Sequence, residues 1–216
     1  MCEKFENVVN KDLLEYIKDN VFPVYDLNGK SHDLNHIKYV LNRAFEISIP
    51  YEKELNYDML YTAVSFHDIG DHIDRANHEK VSAKWMFEDK NLEKFFSEEQ
   101  RVVIKEAIED HRSSSKNTPR NLYGKILASA DKSADINMFF KRSYEYGLEH
   151  YKDLNQDQQL QRVYEHAVNK FGKEGYAVTK YYVEDKKYAE YLKELQYLID
   201  NKQEFFDKCK RVLNIK

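Results

Sequence analysis
Apolar residues recur at three- and four-residue intervals along almost the whole chain, and strand-like alternation is hard to find. Phe5, Val9, Leu13 and Ile17 form one such stripe and predict a first helix. Ile37, Val40, Leu41 and Ala44 predict a second, and Tyr57, Leu60, Tyr61 and Val64 a third, which Gly70 is placed to end as a C-terminal cap. Val81, Trp85 and Met86 predict a fourth. Ser97 followed by Gln100 reads as a capping box opening a fifth, with Val103, Ile104, Ala107 and Ile108 turned inward. Thr118-Pro119 reads as a cap and first-turn proline before a sixth, which carries Tyr123, Ile126, Leu127, Ala130 and Ala134. After about residue 140 Tyr and Lys become frequent. Two more helical stretches follow there, one over roughly 156–171 and a long last one with Tyr188, Leu192, Leu195, Ile199, Phe206, Cys209 and Leu213 on one face.

Polar side chains break into this apolar pattern at three places. His36 precedes Val40 and Ala44 by four and eight residues, so it shares their buried side. His67-Asp68 follows Leu60, Ala63 and Val64. Asp131 follows Leu127 by four and Tyr123 by eight. An imidazole or carboxylate facing a core is costly unless something satisfies it. Three such intrusions point to one shared partner, and a divalent metal is the simplest. The C-terminus of the third helix, with its partial negative charge, favours a cation there. His111, four residues after Ala107, and His78, three before Val81, fit the same inward register and supply enough ligands for two ions. Hydrogen bonding to the ligands is the competing role for these two. His32, His72, His150 and His166 are expected in loops or on solvated faces.

Composition narrows the possibilities. The 216 residues are 42% hydrophobic and 33% charged, enough for one sizeable core. A net charge of −4 argues against a broad nucleic-acid surface. Two cysteines, Cys2 and Cys209, are too few for a disulfide framework and take no part in the metal set, so a structural thiolate zinc site is not indicated. The N-terminus MCEKFENVVNKDLLEYIKD has no apolar h-region, and no apolar run reaches spanning length; a cytoplasmic protein without a membrane partner is expected. With six Gly and three Pro, long regular elements and few loops follow. No Gly-rich phosphate loop or GxSxG elbow is present.

The ordered set H…HD…D, each on a helix of an all-α chain, resembles the HD-domain superfamily of metal-dependent phosphohydrolases. The segments SHDLNHIKYVLNRA, AVSFHDIGDH, HEKVSA and LASADKSAD look like the small stand-alone bacterial HD hydrolases, over about 31–135. The resemblance implies an all-α HD-domain helical bundle, with 1–216 a single domain whose C-terminal helical extension covers about 140–216. It implies His36, His67, Asp68 and Asp131 as ligands of a divalent metal (Mn, Fe, Mg, Co or Zn), and His78 and His111 as ligands of a second ion. Asp71 stands where binuclear phosphodiesterases of the superfamily often have Lys in an HDxGK motif. An acidic residue there is instead a feature of HD-type nucleotidases.

On this reading Asp68 and Asp71 are the catalytic carboxylates, Asp68 at the metal and Asp71 in proton transfer. Arg75, Arg112 and Lys132 are candidates for holding phosphate oxygens. The substrate would be a small phosphorylated compound, a nucleotide or a pyrophosphate bond, rather than a nucleic-acid polymer. An iron-dependent oxygenase on the same ligands and a non-catalytic metal-binding regulatory module remain open. The Tyr-rich stretch GYAVTKYYVEDKKYAEYLKELQYLI leaves an active-site cover, a homodimer face or core completion open as well.

Overall fold
The computed structural model describes residues 3–29, 32–115, 117–132, 134–178 and 182–215. Among them every regular element is helical. The helices are α1 (Glu3–Glu6), α2 (Lys11–Asn20), α3 (Leu34–Ser48), α4 (Tyr57–Phe66), α5 (His78–Glu88), α6 (Glu98–Glu109), α7 (Leu122–Ala130), α8 (Ile136–His150), α9 (Gln156–Phe171), α10 (Lys186–Asp200) and α11 (Lys202–Leu213). Short 3₁₀ turns lie at Phe22–Leu27, Ile49–Glu54 and Lys90–Lys94. No helix of the described residues is long and apolar enough to cross a membrane.

The chain divides into two compact units. One is Met1–Asp131 with Tyr182–Glu184; the other is Lys132–Tyr181 with Asp185–Lys216. The boundary between them falls at 131/132.

The first unit is built around α4, whose residues from Met59 to Phe66 are all buried, as a helix at the centre of a bundle requires. α3, α6 and α7 pack against it, α7 lies also against α3 and α6, and α5 lies on α6. Close approach of α7 to α6 depends on Gly124: a Cβ there would stand 3.2 Å from Ala107 Cα and from Pro119 Cβ. Phe5, Tyr25, Ile37, Leu41, Leu60, Tyr61, Ile104, Ile108, Ile126 and Leu127 fill the core.

Several boundaries differ from the periodicity alone. The stripe through Phe5, Val9, Leu13 and Ile17 is divided between α1 and α2, because the Asn10 side chain accepts from the N–H groups of Asp12 and Leu13 and starts a new helix. α4 ends at Phe66, before Gly70, which therefore does not cap it and has no positive φ. Gly70 serves close packing instead. Its N–H donates to Ser82 Oγ at 3.0 Å, and a Cβ would meet the Val81 side chain at 2.7 Å. On α5 the buried face is Ser82, Ala83 and Met86, while Trp85 is 36% exposed. The capping box of Ser97 and Gln100 opens α6 as expected. α7 is capped by Asn121 rather than Thr118. The Asn121 Oδ1 accepts from Gly124 N–H at 2.9 Å while its Nδ2 donates to Val103 O at 3.0 Å and to Glu106 Oε2 at 3.3 Å, both on α6.

The second unit packs α8, α9, α10 and α11 around Phe140, Leu160, Val163, Leu195, Phe205 and Cys209. α8 lies outside the stretches that the apolar spacing predicts. The long last helix is two helices, broken at Asn201, which carries φ −117° and ψ 70°. The break lets α11 fold back on α9 and α10 and bring Phe205 edge-on to Phe140 at 5.0 Å. His166 is not on a solvated face. Its ring stacks on Phe139, 5.8 Å between centroids.

Candidate metal centre
Five helices of the first unit bring an end to one place. His36 lies in the first turn of α3, which Asp33 caps by accepting from the Asn35 and His36 N–H groups. This explains the second His-Asp pair, His32-Asp33: its carboxylate starts a helix. His67 is the residue that ends α4, and Asp131 the residue that ends α7. His78 opens α5, and His111 follows the end of α6. Three of these positions are helix C-termini, whose unpaired carbonyls make a cation favourable.

Asp68 is the centre of the cluster and is almost fully buried. Its Oδ2 stands 3.2 Å from His67 Nε2 and 3.4 Å from His36 Nε2. Asp131 Oδ1 completes this side, 3.0 Å from His36 Nε2 and 3.9 Å from His67 Nε2. The other oxygen, Oδ1, stands 3.2 Å from His78 Nε2 and 3.5 Å from His111 Nε2. The two oxygens of Asp68 thus face different imidazoles, Oδ2 those of His67 and His36 and Oδ1 those of His78 and His111, with His67 and His111 themselves close enough to share an ion with Asp68.

Three of the imidazoles, those of His67, His78 and His111, are held in one orientation. Nδ1 of His67 lies 2.7 Å from Val64 O, that of His111 2.6 Å from Ile108 O, and that of His78 3.1 Å from Arg75 O. A carbonyl only accepts, so each Nδ1 carries a hydrogen and each Nε2 is left to face the cluster. His78 and His111 then present Nε2 to Nε2 at 3.3 Å, a contact that needs one proton or one cation between them. His67 Nε2 is buried without a hydrogen-bond partner among the described residues. Such an atom costs about 1–3 kcal/mol if nothing satisfies it.

Charge follows from this packing. Burial alone would raise the Asp68 carboxyl, but the charge of His67 and hydrogen bonds from His111, His32 and His36 hold it well below the usual carboxylate range. Asp131 behaves alike: burial opposes, and the hydrogen bond and charge of His36 with the charge of His67 prevail, so it too stays ionised. His78 is raised; burial lowers it, but its hydrogen bond to Asp68 outweighs that. The site keeps its carboxylates anionic.

The donor set fits a divalent ion. Imidazole nitrogen with carboxylate oxygen and no thiolate suits Mn²⁺, Fe²⁺, Co²⁺ or Zn²⁺. Ligands about 2.1 Å from one ion stand about 3.0–3.5 Å apart at right or tetrahedral angles. The ligand atoms of His32, His36 and Asp68, those of His36, His67 and Asp131, and those of His67, Asp68 and His111 each lie within 4.8 Å of one another, close enough to share an ion.

The other sequence candidates are placed as follows. Asp71 is buried, its N–H donating to Asp68 O at 3.1 Å. Its Oδ2 is 3.7 Å from Arg75 Nη1, and its Oδ1 has no hydrogen-bond partner among the described residues. Arg75 is half exposed. Arg112 pairs with Glu79 at 3.3 Å and donates to Ala76 O. Lys132 belongs to the second unit, its Nζ 5.1 Å from the centre of the Tyr188 ring. His72 is exposed, as expected. His32, expected in a loop or on a solvated face, does lie between helices but belongs to the cluster, 2.7 Å from Asp68 Oδ2. It was missed because it precedes α3 and so has no helical register to read; its place in SHDLNH, four residues before His36, was the available signal.

The family model of the HD domain matches residues 33–135. No curated protein and no solved structure shows a significant match to the chain. The matched segment contains His36, His67, Asp68, His78, His111 and Asp131 and leaves His32 just outside. HD domains bind divalent metals and define a superfamily of metal-dependent hydrolases. With that match on a bundle whose described elements are helices and whose helix ends converge on histidines and aspartates, residues 33–135 of the chain carry an HD domain.

Proposed function
We propose that the chain is a metal-dependent phosphohydrolase acting on a small phosphorylated compound, a nucleotide or a pyrophosphate bond. The observation that carries this reading is Asp68, whose two buried oxygens face two sets of imidazole nitrogens fixed by backbone carbonyls. His36, His67, Asp68 and Asp131 would hold one divalent ion, and His78 and His111 with Asp68 would hold a second. When bound, such ions supply a water of lowered pKa and draw charge from a phosphoryl oxygen.

The chain's own residues do the rest. Asp68 keeps both donor sets at a fixed separation. Asp71 is the proton-transfer group: a buried carboxylate whose Oδ1 is uncommitted and whose backbone is tied to Asp68 O. Arg75 reaches toward solvent from Asp71 and grips phosphate oxygens through its planar fork. Arg112 is the weaker candidate for that role, since Glu79 already holds it. A net charge of −4 favours a small substrate over a polyanion.

The test is a screen of the full chain, loaded with Mn²⁺, Mg²⁺, Co²⁺ or Fe²⁺, against nucleotides, pyrophosphates and simple phosphate esters. Hydrolysis that chelation abolishes and metal restores is expected. His67→Ala is expected to lose both metal and activity while keeping its helical signal by circular dichroism. No turnover with any metal on any substrate rejects the phosphohydrolase. Oxygen consumption with iron would then identify the oxygenase, and bound metal with neither activity the regulatory module.

A further inference from the structure
The closest contact in the cluster is made by a residue outside the two donor sets. His32 Nδ1 stands 2.7 Å from Asp68 Oδ2. An ionised carboxylate only accepts, so Nδ1–H is the donor. The His32 ring lies 5.5 Å from that of His36 and 6.0 Å from that of His78, next to one member of each set. Its side chain is 21% exposed, against 2% for Asp68.

A second side chain fixes this arrangement. Asn28 Nδ2 donates to His32 O at 3.1 Å and to Asp68 O at 2.9 Å. Its Oδ1 accepts from the His72 backbone N–H at 3.1 Å and from His72 Nδ1 at 3.0 Å. One amide therefore ties the stretch before α3 to the turn that carries Asp68, and it does so at the two residues that also meet side chain to side chain.

We propose that His32 is a positioning residue for Asp68, holding its carboxylate so that Oδ2 serves His36, His67 and Asp131 while Oδ1 is left to His78 and His111. The inference rests on the metal reading above and adds to it the group that sets the angle of the bridging carboxylate. The terminal torsion of an aspartate is broad and selects no single orientation by itself. A strong hydrogen bond to one oxygen removes that freedom. Residues that orient ligands in this way typically change metal affinity or activity by about 10–100-fold when removed.

The experiment titrates the full chain with Mn²⁺ and follows the free ion by electron paramagnetic resonance, for wild type, His32→Ala, His32→Asn and His32→Gln. In His32→Ala the number of ions bound at saturation is expected to stay the same while half-saturation rises about 10–100-fold. His32→Asn, whose amide nitrogen reproduces the Nδ1 donor, is expected to recover most of the loss, and His32→Gln, whose amide extends past that position, much less. An unchanged titration in His32→Ala overturns the proposal, as does His32→Asn binding no better than His32→Ala. Loss of a whole equivalent in His32→Ala overturns it too, because His32 would then be a ligand. A wild-type chain that binds no Mn²⁺ overturns the metal centre itself, a result distinct from all three.

Discussion

Replacing Gly70 with alanine should damage the metal centre from a residue that touches no ligand. The added Cβ would stand 2.7 Å from Val81 Cγ1, 2.8 Å from Val81 Cβ and 3.0 Å from Ser82 N. Rotating Val81 moves only the first of these. The other two belong to the backbone and base of α5, so the helix must retreat from the turn that follows His67-Asp68. Overpacking of this kind costs about 1–3 kcal/mol. Gly70 has no positive φ, so alanine is otherwise tolerated and recovers about 0.4–1 kcal/mol through the unfolded chain. A net loss of about 1–2 kcal/mol is expected. The retreat carries His78, at the start of α5, away from Asp68 Oδ1, now 3.2 Å distant. It also stretches the bond from Gly70 N–H to Ser82 Oγ. Urea unfolding followed by circular dichroism gives the stability, and elemental analysis gives the metal. Adding Val81→Ala should restore part of the stability but little of the metal, since Ser82 N still obstructs. A Gly70→Ala protein as stable as wild type, with unchanged metal, would refute the close-packing account of this glycine.

His111→Ala should lower bound metal from near two equivalents toward one, because the set on Asp68 Oδ1 loses one of its two imidazoles; one equivalent in both proteins would reject the second site. Asp71→Asn should slow turnover while leaving metal content unchanged, and equal rates in parallel assays would remove Asp71 from the mechanism. The second unit should lose stability in mild acid. Burial, with Lys170 and Arg162 nearby, pushes His166 from its ordinary 6.5 down to about 4. Between those values the unfolded chain binds a proton that the folded chain refuses, so stability present above pH 6.5 falls as the pH drops toward 4. At pH 5 the loss is about 2 kcal/mol, and His166→Gln, neutral throughout, should show less of it in urea titrations at pH 7 and 5; equal acid sensitivity would refute the assignment.

The sequence by itself determined the helical class and most of the apolar faces. Ile37, Val40, Leu41, Ala44, Leu60, Tyr61, Val64, Ile104 and Ile108 are buried as their spacing requires, since a 3.6-residue period fixes a face without reference to the rest of the fold. The same rule singled out His36, His67, Asp68 and Asp131 as candidates, because each is a polar residue in an apolar register. Periodicity does not say where a helix stops. Asn10, Asn121 and Asn201 end or begin helices through bonds and angles that depend on their neighbours, so the split stripes and the start of α7 were decided by tertiary structure. Nor does it reach residues between helices. His32 and Asn28 lie before α3, and only the folded chain brings them to Asp68. Gly70 reads as a helix cap along the sequence and proves to be a point of contact between a turn and α5. The division of Asp68 between two donor sets has the same origin. Five helix ends far apart in the chain must meet before one carboxylate can face both, and that meeting is a property of the packing alone.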